Sequence, residues 1–213
     1  APPCAGAPAA TLAQMAGGDD LVGPFPPGAD RDAYDRMRRR VLWSMPTGLY
    51  LVGSRAGGRA NLMAANWVVQ VATDPKLVAT GIETGALTRE LVAAGGSFTV
   101  CILARADRAV VRRFVKPAQW DPAAPTLNGL AVTLARTGAP VLASSLAWLD
   151  CEVRHTVDLG SHTWFVGEVV DCGLTTPGGP AGEGGEGGEG GEGGRWEGTE
   201  VLRMEDTRMS YGG

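Results

Sequence analysis

The sequence predicts a mainly β protein, a closed antiparallel Greek-key β-barrel with a few peripheral helices, on three observations. Runs rich in β-branched and aromatic residues recur between turn signals from residue 47 to residue 172. Helical spacing is confined to a few segments. The length of 213 residues, with 44% hydrophobic and 20% charged residues, provides one domain's core and too little for a second full domain.

Residues 1–29 are rich in Ala, Pro and Gly without periodicity, and read as a flexible N-terminal extension. The domain proper is expected over 30–173. It opens with a helix, DRDAYDRMRRRVLW, whose acids precede its bases as the helix dipole prefers, with Arg38-Arg39-Arg40 on a solvated face. Strands follow in TGLYLVGS (47–54), NLMAANWVVQVA (61–72) and KLVATGI (76–82). A helix over 86–96 starts after Thr84-Gly85 and stops at a glycine pair, as a C-cap would. SFTVCIL (97–103) is the next strand. RADRAVVRRFVKP (105–117) sets Val110, Val111 and Phe114 at helical spacing and halts at Pro117.

The clearest alternation is LAWLDCEVRHTVDLG (146–160). Ala147, Leu149, Cys151, Val153, Val157 and Leu159 share one face, and Asp150, Glu152, Arg154, Thr156 and Asp158 the other. His155 falls on the apolar face and reads as a hydrogen-bonded core or interface histidine. The last long strand is SHTWFVGEVVDC (161–172). Residues 174–199 form a Gly/Glu-rich segment whose centre repeats every three residues without collagen's proline; glycine entropy and like charges make it a flexible loop. Residues 200–213 are expected to return to the barrel as a C-terminal strand and tail.

Composition excludes several functions. A net charge of −4 with dispersed bases argues against nucleic acid as a partner. The four cysteines lack CxxC or metal-ligand spacing, and with two histidines in the chain no metal site is expected. Three of the cysteines sit in apolar strand-like runs as small buried hydrophobes. No run of eighteen apolar residues and no signal-peptide pattern occurs, so no membrane partner and a cytoplasmic address are expected. Walker A, GxGxxG and GxSxG patterns are absent.

Three segments can converge at the barrel mouth. The first carries Asn61, Asn66 and Gln70, whose amides donate and accept as the edge of a planar heterocycle requires. Asn61 alone also reads as a turn residue, whereas Asn66 inside an apolar run needs a partner. The second is Glu83-Thr84-Gly85-Ala86-Leu87-Thr88-Arg89, where a strand ends and a helix begins. Its free N–H groups, with Thr84, Thr88 and Arg89, suit an anion, or equally form a Thr cap beside a surface arginine. The third is His162, either a chemical group or a turn residue ahead of a strand.

Taken in order, these residues resemble the flavin reductase family, the short NAD(P)H:flavin oxidoreductases with an FMN-binding split barrel. The resemblance runs from about Arg38 to Cys172 and resumes in VLRMEDTRMSYGG. In AANWVVQVATDP, Ala65, Asn66, Asp74 and Pro75 match; GALTRELVAAGGSFTVCIL keeps Thr88, Gly96, Phe98 and Val100; Gly160-Ser161-His162 matches the family's Gly-x-His. The resemblance implies a homodimer that binds FMN, or FAD, and takes NADH or NADPH as co-substrate. His162 would be the catalytic residue, orienting the nicotinamide. Asn61, Ala65, Asn66, Trp67, Gln70, Thr84, Thr88 and Arg89 would bind the flavin. Reduced flavin could supply a partner monooxygenase; the alternative is an electron carrier that holds FMN permanently and has no NAD(P)H site. The chain departs from the pattern at Ala64, Trp67 and Ala86, where the family has hydroxyls. Trp67 either stacks near the flavin ring or fills the core.

Overall fold

The computed structural model describes residues 23–175 and 198–207. The expectations for residues 1–22, for most of the Gly/Glu-rich loop and for the tail from 208 lie outside the described residues. The described residues fall into two compact units, divided after Met45. The first holds helix α1 (Arg31–Trp43). Asp30 caps it by accepting from Ala33 N at 3.1 Å. Asp35 binds Arg38 and Arg39 at 2.5 and 3.1 Å, so part of the arginine cluster is neutralised within its own helix.

The second unit is built on strands β1 (Tyr50–Ala56), β2 (Arg59–Ala65), β3 (Val68–Thr73), β4 (Lys76–Glu83) and β5 (Ser97–Ile102). Helix α2 (Leu87–Gly95) joins β4 to β5 and ends on Gly96, whose φ of 68° is the left-handed cap glycine tolerates best. The helix expected over 105–117 is shorter and broken: a 3₁₀ turn, the four-residue α3 (Arg108–Val111) and a second 3₁₀ turn. Val111 and Phe114 are nevertheless fully buried. Four short strands follow, β6 (Trp120–Asp121), β7 (Thr126–Leu127), β8 (Leu130–Leu134) and β9 (Pro140–Leu142), then the long pair β10 (Ala147–Asp158) and β11 (His162–Leu174). The sequence reading missed β6 to β9, because runs of two to five residues carry no measurable period.

All pairings are antiparallel, in a seven-stranded sheet ordered β2-β1-β5-β10-β11-β4-β3 and a four-stranded sheet ordered β6-β7-β8-β9. The single strand expected over 61–72 is two strands at opposite edges of the larger sheet, joined by Asn66 and Trp67 alone. Laid flat, seven strands would hold those edges roughly 29 Å apart, whereas three Cα steps reach about 11 Å. The sheet therefore curls until its edges approach. Among the described residues no ladder joins β2 to β3, and the mainly β, antiparallel architecture expected from the sequence is a curled sheet with a seam at that join.

Two apolar clusters lie on either side of β1. Leu51, with Leu49, Leu62, Cys101 and Phe114, faces the small sheet, while Val52, with Ile82, Phe98, Val100 and Phe165, faces the other way. Burial on both faces is why the central strands read as unbroken apolar runs. Thr99 Oγ1 donates to Pro140 O at 2.5 Å and ties β5 to β9. At the far end of the chain Leu202 is fully buried, and Val201 and Arg203 bridge to Ala104 and Gly48. The expected strand over 200–213 is thus two isolated bridges and a 3₁₀ turn (Met204–Asp206) where it is described.

Two expectations about single residues are corrected. His155 is exposed, because register shifts between Asp150 and Cys151 and between Val153 and His155 break the alternation, and β10 leaves the core beyond Val153. Of the cysteines read as buried hydrophobes, Cys101 and Cys151 are buried, with thiols pushed up by desolvation to about 11 and about 12, but Cys172 is exposed near the outer end of β11. No described helix is long and apolar enough to cross a membrane.

Candidate functional site

A cavity of about 300 Å³ opens at the seam. One wall is the end of β2 and its junction to β3, with Met63, Ala64, Ala65, Asn66 and Trp67. The floor is the neighbouring pair β4 and β11, with Gly81, Glu83 and His162. Phe114 and Val115, from the turn after α3, complete the lining. The volume is at the lower end of the range for small-molecule pockets, and the lining mixes apolar walls with a few polar groups, as such sites do.

His162 is held from several directions. It begins β11 after Gly160, whose φ of 83° turns the chain at a cost few other residues avoid. Thr84 closes that turn from the end of β4: its hydroxyl donates to Gly160 O at 2.7 Å and its N–H to Ser161 O at 2.9 Å. Ser161 Oγ contacts His162 Nδ1 at 3.0 Å, leaving Nε2 without a partner among the described residues. The imidazole also leans on Trp67, ring centroids 4.5 Å apart and planes tilted by 51°. Trp67 presses in turn on Gly81, where an added Cβ would lie 3.2 Å from its ring and 3.2 Å from the Trp164 indole nitrogen. Gly81 N–H donates to Trp67 O at 2.9 Å, continuing the β3–β4 ladder by one pair.

Of the residues singled out from sequence, the cavity gathers Ala65, Asn66, Trp67 and His162. Asn66 is half-buried and its amide makes no hydrogen bond to a described residue, so it is free to meet the edge of a heterocycle. The other five lie outside the lining. Asn61 is buried, donating to Thr88 Oγ1 at 2.8 Å and accepting from Ala118 N at 2.7 Å. Thr88 is wholly buried in that bond, at the start of α2. Arg89 Nε reaches Thr163 Oγ1 at 3.3 Å, Gln70 is exposed and bonds to Ala72 O, and Thr84 is spent on the turn before His162.

The sequence reading did not assign Gly81 or Phe114 to the site, and it placed Glu83 at the start of the strand–helix segment without giving it a role. Glu83 pairs with His162 in the β4–β11 register, a neighbour relation that appears only once the strands are paired. A planar ring fits this cavity: aromatic and apolar walls, an unpartnered amide and an unpartnered imidazole nitrogen surround a floor flattened at Gly81. For an anionic tail the fit is weaker in the lining, where the threonine hydroxyls are engaged within the fold.

With that geometry established, the comparisons with known proteins are specific. The model of the flavin reductase like domain matches residues 41–182. The NADH-dependent flavin reductase StyB of Pseudomonas fluorescens is 28% identical over 143 residues, 67% of this chain and 80% of StyB. The high molecular weight rubredoxin of Moorella thermoacetica is 32% identical over 148 residues, 68% of this chain. Among solved structures, the NADH:FAD oxidoreductase SgcE6 of Streptomyces globisporus superposes with a TM-score of 0.58 at 26% identity, over 68% of this chain and 85% of SgcE6. The chain spans 63% of the rubredoxin's length and 23% of a putative diflavin flavoprotein of Nostoc.

Proposed function

The chain belongs to the family of flavin reductase-like domains, and from that premise we propose that it reduces FMN or FAD by hydride transfer from NADH or NADPH. The observation that carries this reading is the seam cavity, where Asn66, Trp67 and His162 converge on one ring-sized space. It is supported by the similarity to an NADH-dependent flavin reductase and by a solved relative in complex with NAD and FAD fragments. In this reading the curled sheet is the family's split barrel, and the active form is a homodimer that passes reduced flavin to a monooxygenase.

A bound flavin supplies the electron-accepting chemistry. The chain's own residues bind and orient. Asn66 donates and accepts at the ring edge, Trp67 presents an apolar face, and Phe114 and Val115 exclude water. His162, held by Ser161 and Trp67, offers Nε2 to the carboxamide or ring of the nicotinamide. A second reading, an electron carrier holding FMN without an NAD(P)H site, is favoured by the identity to a rubredoxin.

An absorbance spectrum of the purified protein with FMN or FAD, before and after NADH, separates the two. Bleaching of the flavin band by NADH is expected, and its absence with tightly held flavin would establish the carrier. His162→Ala should slow NADH-driven reduction by roughly tenfold or more through lost orientation, with flavin affinity and Tm little changed. His155→Ala, at an exposed position, should leave all three alone. A wild-type rate in His162→Ala would refute the assignment.

A further inference from the structure

Glu83 ends β4 directly opposite His162 and lines the same cavity. It is exposed, and its carboxylate makes no hydrogen bond or ion pair with a described residue. Other acids near this sheet are engaged: Glu90 with Arg59, Glu168 with Arg154, Asp150 with Thr137. No lysine or arginine is in the lining. Arg89, the closest base along the chain, bonds to Thr163, which points to the opposite side of β11 from His162. The cavity therefore combines one unneutralised negative charge with the indole of Trp67.

We propose that Glu83 makes this cavity selective for a positively charged planar ring, a pyridinium stacked on the Trp67–His162 wall. An indole face attracts a cation through its quadrupole, more strongly when water is partly excluded. A carboxylate on the same cavity adds Coulombic attraction, screened by the solvent it meets, and repels an anionic group. The inference rests on the function proposed above, because a nicotinamide gains this charge in that reaction. Departure of a hydride, one proton with two electrons, from C4 of the dihydronicotinamide to the flavin leaves a pyridinium cation. Charge that develops during transfer is stabilised by a group already in place. Glu83 is thus a specificity-determining residue for the oxidised ring, and Trp67 its platform.

The test uses two small probes and needs no turnover. 1-Methylnicotinamide is permanently cationic, and nicotinamide is its neutral counterpart. Each is titrated into the purified full chain by calorimetry and tryptophan quenching. The wild type should bind the cation about tenfold more tightly, a preference that shrinks as salt rises. Glu83→Gln should abolish the preference and Glu83→Lys invert it, with Tm unchanged in Glu83→Gln. Equal affinities in the wild type, binding of neither probe, or a preference that survives Glu83→Gln each overturn the proposal. A wild type that reduces flavin with NADH yet shows no preference sinks this inference alone. One that shows the preference without reducing flavin sinks the proposed function alone.

Discussion

At the scale of single residues, the site depends on what is missing at position 81. Gly81 lies between two indoles, and the carbon that any other residue would add is at a distance from both that few side-chain contacts reach. Gly81→Ala should therefore push Trp67 off its place and cost about 1–3 kcal/mol, the usual price of overpacking. The expected result is a lower Tm together with weaker flavin binding in a titration. In a Trp67→Ser background the same change should cost measurably less, since one indole is gone. An additive double mutant would show that the two residues do not share the strain. The contrast with His155 is instructive at this scale. Both histidines stand in apolar strands, and only the structure separates them: one faces solvent beyond a bulge, the other is braced by Ser161, Thr84 and Trp67.

At the scale of elements, the long strands were legible because burial on one face writes a period into the sequence and burial on both writes a continuous apolar run, and α2 because Gly96 marks its end. The break at Asn66-Trp67 was not legible. Both halves are strand, both are apolar, and nothing local says that the chain changes edges there. The bulges of β10 were hidden for a similar reason, since one extra residue shifts the faces without changing composition. In the site, Ala65, Asn66, Trp67 and His162 could be named from motif and chemistry, whereas Gly81 and Glu83 required the pairing of β4 with β11. Thr88 shows how a hydroxyl at a helix start can serve the fold. Its bond to Asn61, which in turn accepts from Ala118 N, ties α2 to β2 and to the segment before β6. Thr88→Ala leaves a buried Asn61 donor unpaired and should lower stability by about 1–3 kcal/mol in a denaturant melt. Thr88→Ser, which keeps the acceptor, should restore most of it. If Thr88→Ala instead melts like the wild type and only loses flavin, the hydroxyl belongs to the ligand.

At the scale of the whole molecule, one covalent fact governs the rest. A sheet of seven strands is brought round so that its first and last members in spatial order are successive in the chain. The cavity lies at that join, with one wall on the end of β2 and the Asn66-Trp67 junction and its floor on β4 and β11. Side chains such as Phe114 shape the space, but its breadth at the Asn66–Trp67 end is set by peptide bonds, which do not stretch. The join acts as a caliper fixed at one opening. Three Cα steps limit how far the end of β2 can part from the start of β3, so the opening beside Asn66 and Trp67 is bounded by chain length. Adding one glycine between Asn66 and Trp67 lengthens the reach by up to about 3.5 Å, on the order of one more planar ring. Closure entropy changes little with a single residue, so the fold should survive with a Tm near the wild type's. The re-gauged protein should grip a single flavin loosely, by about tenfold in a titration, equivalent to 1.4 kcal/mol.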